Sequence, residues 1–161
     1  MNPRAIFGIS ALASLVSSIV VAWLFVWPWL HAADSRLALL FLVTPHMFLR
    51  FIGLSFLVPG VVSPSLPRSW AAPAAYGDLA AGILAIVAAM ALTFTVPWAI
   101  LAVWVFNVWG AADLLYAGYK GPRVNLDPGS LGAAFFIVTA IVPPLLVSHV
   151  LIFMLLLQGR I

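Results

Sequence analysis

The stretch Tyr76–Tyr119, YGDLAAGILAIVAAMALTFTVPWAILAVWVFNVWGAADLLYAGY, is apolar over 44 residues and decides the fold class. A membrane span needs about 20 mostly apolar residues, so this run is twice a span and has to fold back. Its one break is Thr93-Phe94-Thr95-Val96-Pro97-Trp98. Proline favours a helix start, and the residue before it leaves the α region. The spacing predicts a tight hairpin there, between spans at Tyr76–Thr95 and Pro97–Tyr116.

The rest of the chain reads the same way on either side of this run. Ile6–Leu30 is a 25-residue apolar stretch ending in Trp27-Pro28-Trp29. It is too long for the 7–15-residue apolar core of a signal peptide, and no small-x-small site follows it. A second span runs from Leu37 to about Val58, where Pro59-Gly60 stops it, and Ser63–Pro73 with its three prolines is a loop. Lys120–Ser130 is a second polar loop, and Leu131–Leu157 is the last span, interrupted by Pro143-Pro144. The expected fold is therefore an all-α, polytopic integral membrane bundle of about five transmembrane helices (6–30, 37–58, 76–95, 97–116, 131–157), one domain over 1–161.

Composition agrees. Of 161 residues 65% are apolar and 7% charged, and mean hydropathy is +1.20. A soluble domain carries about 25% charged residues, so lipid has to take the place of water around most of this surface. The pI of about 10.0 comes from single, scattered Lys and Arg. Nucleic-acid binding needs a clustered positive face, and none is expected. The chain has no cysteine, which excludes disulfides and thiolate chemistry by its own residues. With five spans, Arg4, Arg68, Lys120 and Arg123 share the N-terminal side against Arg36 and Arg160. The positive-inside rule then places the N-terminus in the cytoplasm and the C-terminus outside. Trp27, Trp29, Trp70 and Trp98 read as interface anchors, and Trp23, Trp104 and Trp109 as packing residues.

Ionisable groups inside spans are rare and face a protein interior or a cavity. Here they are His46, Arg50, Asp78, Asp113 and His149, with Asn107 as a neutral polar companion. At helical spacing His46, Arg50, Gly53, Leu57 and Gly60 fall in one stripe. Leaving Arg50 in lipid would cost at least about 2.5–3.5 kcal/mol, so it needs a partner. Asp78, about one turn in from the N-terminal-side interface, is the first choice. Asp113, at similar depth, is expected to lie wetted at that interface. A buried pair of this kind either fixes helix register or belongs to a proton or solute path. Both readings stand on the sequence.

His46 and His149 are expected at matched depth, about 12–14 Å from the opposite face. Two such histidines on different helices are the ligand pattern of a haem b iron or a metal. The plainer reading has each bonded to a carbonyl freed by proline, that of Phe41, Thr139 or Ala140. Neighbouring bulk and the lack of a carboxylate at that depth favour the plainer reading, so no cofactor is expected and haem is the alternative. No hydrolase elbow, phosphate loop or HExxH motif occurs, so an enzyme is not the first reading.

At Arg50–Gly60, RFIGLSFLVPG, the chain resembles the DoxX-like group of small bacterial membrane proteins. Gly53, Phe56, Leu57 and Gly60 match that group's spacing after an arginine, and Asp78-Leu79-Ala80-Ala81-Gly82 resembles its acidic residue before a Gly-rich helix. The resemblance covers about Arg50–Leu92. The chain departs from it by an additional span, by Asp where Glu is usual, and by having no cysteine. It implies a compact helical bundle in a bacterial inner membrane, accessory to a redox or membrane-assembly system. Three functions are compatible with the residues. One is a non-enzymatic accessory subunit or small-solute permease built on Arg50 and Asp78. Another is a haem or metal redox protein using His46 and His149. The third is a scaffold acting through lipid-facing contacts with a membrane-protein partner or a second copy.

Overall fold

A computed structural model describes residues 2–159, and every regular element among them is helical. Five helices are long and apolar enough to cross a membrane: α1 (Pro3–Ala32), α2 (Ser35–Leu57), α3 (Arg68–Thr93), α4 (Ala99–Arg123) and α5 (Ile137–Leu157). Capping starts the first two. Asn2 accepts from the Arg4 N–H at 3.0 Å with Pro3 in the first turn, and Asp34 accepts from the N–H groups of Arg36 and Leu37. The α3–α4 hairpin turns within 94–98, where Thr95 takes a positive φ of 55°. Arg160, which entered the charge comparison, lies outside the described residues.

Prolines shape α1 and α5 through one device. Each helix widens into a single π turn, Ala22–Val26 or Ile137–Ile141, just before Pro28 or Pro143-Pro144. The Trp27 N–H reaches the Ala22 carbonyl and the Val142 N–H that of Ile137. A proline ring collides with the carbonyl four residues earlier. Those carbonyls, of Leu24, Thr139 and Ala140, all lie within the widened turns, so both helices continue past their prolines.

The expected boundaries change in three places. Helix α3 begins at Arg68 and runs through Pro73, where a loop was expected, and α4 continues through Gly121-Pro122 to Arg123. Conversely, α5 is preceded by a 3-10 segment, Pro128–Ala134, broken at Gly132 with φ +54°. A side chain at Gly132 would strike the Val61 carbonyl, which accepts the Ala133 N–H at 3.0 Å and ties the two loops of this side together.

A change of register decides the site. Helix α2 is α-helical over Ser35–Val43, restarts after Thr44-Pro45, and becomes a 3-10 helix over Arg50–Leu57. With 3.0 residues per turn, positions i and i+3 align. The buried column is thus Arg50, Gly53 and Phe56, in place of the Arg50–Gly53–Leu57–Gly60 stripe drawn on an α period. At about 2.0 Å per residue the segment also carries Arg50 about 14 Å up from Leu57. Asp78 and Asp113 sit about 15 Å in from Arg68 and Arg123 at the α-helical rise. The three charges share one depth.

Two apolar clusters sandwich that layer. One packs Leu39, Leu42, Val43, Leu92, Val103 and Ile152 toward the α3–α4 turn, and the other packs Phe56, Trp70, Ala71, Leu131 and Ile137 toward the N-terminal side. If the 3-10 register holds, Phe56→Ala should cost about 3–5 kcal/mol, and Leu57→Ala clearly less. Thermal unfolding of the purified variants measures both, and the reverse order would restore the α-helical register.

Candidate functional site

Arg50 is 1% exposed and lies at the centre of the polar layer. Its Nη1 donates to Asp78 Oδ1 at 2.5 Å and to Asp113 Oδ2 at 3.1 Å. Its Nη2 donates to the Gly110 carbonyl at 2.5 Å and to His149 Nε2 at 3.0 Å. Four partners from α3, α4 and α5 thus converge on one side chain of α2. Asp113 is not a wetted interface residue, because its side chain is 10% exposed. The extra turns of α4 below it draw it up into the bundle.

The histidines belong to the same network. Arginine only donates, so His149 Nε2 accepts, and its proton sits on Nδ1, which donates to Asn107 Oδ1 at 2.7 Å. The Asn107 amide returns a bond to the His149 carbonyl at 3.2 Å. Ser148 donates its one proton to the Leu145 carbonyl, so it accepts from His46 Nε2 at 2.7 Å. Among the described residues that leaves His46 Nδ1 buried without a hydrogen-bond partner, as is Arg50 Nε. Neither histidine bonds to a proline-freed carbonyl; side chains from α2, α4 and α5 take those roles.

Their rings contact each other, with centroids 4.5 Å apart. No gap for a macrocycle separates them, and the Nε2 lone pair of His149 is spent on Arg50. Among the described residues no group of three or more His, Cys, Asp or Glu is placed to hold a metal. The expectation that no carboxylate lies at this depth is overturned, since only Arg50 separates His149 from Asp78 and Asp113. Each carboxylate gives one oxygen to the guanidinium.

Three glycines make room for the network. A Cβ on Gly53 would overlap Asp78, one on Gly77 would overlap Asp113, and one on Gly110 would come within 2.5 Å of His149 and 2.9 Å of Arg50 Nη2. The sequence held part of this signal: Asn107, Gly110 and Asp113 recur every three residues along one face of α4, and Gly53 is one 3-10 turn beyond Arg50.

The chain belongs to the family described as a domain of unknown function, DUF8737. The match spans residues 6–157 and so takes in every residue of the centre and all five helices but for the first three residues of α1. No curated protein and no solved structure matches. Membership of this family assigns no activity, and the functional argument rests on the site itself.

Asp78 and Asp113 also line a cavity of about 460 Å³ bounded by α1, α3 and α4, with Phe56 of α2 and Val138 and Val142 of α5. Its walls are largely apolar, with Phe7, Phe56, Trp70 and Leu114 prominent. Trp70 is 4% exposed and donates from Nε1 to the Ala117 carbonyl at 2.9 Å, so it packs inside the bundle and does not anchor an interface. Trp23 and Trp109, read as packing residues, face outward at 72% and 49% exposure.

Stranding a buried partner costs about 3–5 kcal/mol. Arg50→Ala should show a loss of that size, and adding Asp78→Asn with Asp113→Asn should recover part of it, a coupling of about 0.5–3 kcal/mol. Denaturation of the single, double and triple variants tests this; additive losses would mean that the groups act independently. The purified protein should also show no Soret band after growth with haem precursor. A band lost in both His46→Ala and His149→Ala would establish the haem alternative.

Proposed function

We propose that this chain is a non-enzymatic multi-pass membrane protein that admits a small solute to the Asp78–Asp113 end of its cavity. It acts as a small permease or as the solute-binding accessory subunit of a larger membrane assembly, with its N-terminus in the cytoplasm. The outward surface supports the membrane reading. Ile9, Leu12, Trp23, Phe25, Leu101 and Phe136 are each more than half exposed, which water would penalise and lipid favours. The basic residues Arg4, Arg68, Lys120 and Arg123 fall at one end of the bundle, and Arg4 is among the residues that line the cavity.

One observation carries the solute reading. The carboxylates that neutralise Arg50 are the same ones that face the cavity. An ion pair that only fixes helix register can be closed off on all sides by packing. This one keeps a wall open to a volume in the range of small-molecule sites.

Because the chain lacks cysteine, single cysteine variants give a clean test. In oriented membranes Ser65→Cys and Gly129→Cys should react with an impermeant thiol reagent from the cytoplasmic face, and Ala32→Cys from the other. Ala74→Cys, one turn from Asp78 on the cavity wall, should react from the same face as Ser65→Cys. Reaction of Ser65→Cys and Ala32→Cys from one face would refute the five-span topology. Failure of Ala74→Cys to react with any water-borne reagent would refute a solute-accessible cavity.

A further inference from the structure

One guanidinium serves two carboxyl groups in the polar layer. Arg50 is one cation before two carboxyl groups, and His149 adds no second, because its Nε2 accepts from Arg50. Each carboxylate spends one oxygen on Arg50 Nη1. The second oxygens, Asp78 Oδ2 and Asp113 Oδ1, accept no hydrogen bond among the described residues. The Asp78 side chain is 9% exposed and that of Asp113 10%, and both line the cavity. A carboxyl group this deeply withdrawn from water with an unfilled acceptor is costly unless a proton, a donor or a cation reaches it.

Resting on the reading of this cavity as a solute site, we infer that its ligand is an amphipathic organic cation, an ammonium group on an apolar body. The ammonium N–H groups fill the free oxygens of Asp78 and Asp113, and the body lies among Phe7, Phe56, Trp70 and Leu114. The alternatives fit less well. A hard inorganic cation takes six or more oxygens, and these largely apolar walls supply few beyond the two carboxyl groups. An anion would have to reach Arg50, which does not line the cavity and stands behind the two carboxylates. Among the described residues Arg4 is the one other charged group that lines the cavity. It is exposed on α1, where solvent screens it, and it does not share the depth of the carboxylates. The aromatic walls favour a cation further through their ring faces.

The test uses the full chain in lipid nanodiscs and three probes of similar shape: 2-phenylethylammonium, 2-phenylethanol and 3-phenylpropanoate. Calorimetric titration is referenced to empty nanodiscs. The ammonium should bind about tenfold or more tighter than the alcohol, the step expected of a charge-assisted hydrogen bond, and the carboxylate weakest. Asp113→Asn should bring the ammonium down to the level of the alcohol. Gly118→Leu supplies an independent check, because Gly118 lines the cavity and a Cβ there meets nothing within 4 Å. That variant should keep the thermal stability of the parent and weaken ammonium binding, and it decides the matter alone should Asp113→Asn fail to fold.

Equal binding of ammonium and alcohol, or tightest binding of the carboxylate, would overturn the cation assignment and leave the solute cavity standing. So would no binding of any probe to a protein whose Ala74→Cys variant is labelled from the cytoplasmic face. An ammonium preference that survives both Asp113→Asn and Gly118→Leu would place binding elsewhere and overturn it too. Loss of Ala74→Cys labelling, by contrast, refutes the underlying solute reading itself.

Discussion

A guanidinium held in an apolar bundle is the constraint on which the rest of this structure depends. An isolated charge in a medium of low dielectric is costly by several kcal/mol even after relaxation. Arg50 is 1% exposed, so the fold has to bring acceptors to it. It does so with two carboxylates, a backbone carbonyl and an imidazole nitrogen, drawn from three different helices. Such convergence requires close approach of backbones. Gly53, Gly77 and Gly110 stand where a Cβ would occupy the space of a network atom. The small residues of α2, α3 and α4 thus serve the network first, and packing follows from it.

The helix count and the membership of the polar layer were legible in the sequence, because both depend on local text. The 44-residue run had to turn back, and ionisable residues in apolar segments have to meet. Depth was not legible, and the cause is proline. Pro73 and Pro122 read as loop residues, yet Pro73 sits near the start of α3 and Pro122 near the end of α4, where a missing N–H or a lost carbonyl bond disturbs few neighbours. Each helix gained turns on the same side. Asp78 and Asp113 moved inward together to the level of Arg50.

Register was the second thing hidden. Nothing in RFIGLSFL distinguishes a 3-10 from an α period by composition, since both place Arg50 and Gly53 on one face. They part at the next position, where the 3-10 column takes Phe56 and the α stripe takes Leu57. Runs of 3-10 helix beyond three or four residues are uncommon, so the α period was the natural expectation. The carboxylates explain the exception: an α-helix from Leu57 would leave Arg50 some 3–4 Å short of their depth. Two of the network's partners were hidden for a different reason. A backbone carbonyl at Gly110 and a hydroxyl at Ser148 carry no charge to mark them in a hydrophobic segment.

The same accounting identifies the part of the cavity wall that is easiest to move. Helices α2, α3 and α4 are tied together through Arg50, and α5 joins them through His149. Helix α1 contributes nothing to that network. Across its length only Ala22 and Leu30 are buried, and its inner face is built from small residues, Ser10, Ala11, Ser14 and Ser18. Yet α1 supplies Arg4, Phe7 and Ala11 to the cavity. Elements with few buried contacts open at the lowest free energy, and here that element closes one side of the site. The division separates two requirements that usually compete. The carboxylates stay fixed in geometry because the arginine demands it, while the helix that closes one side of the cavity shares no ionic bond with them.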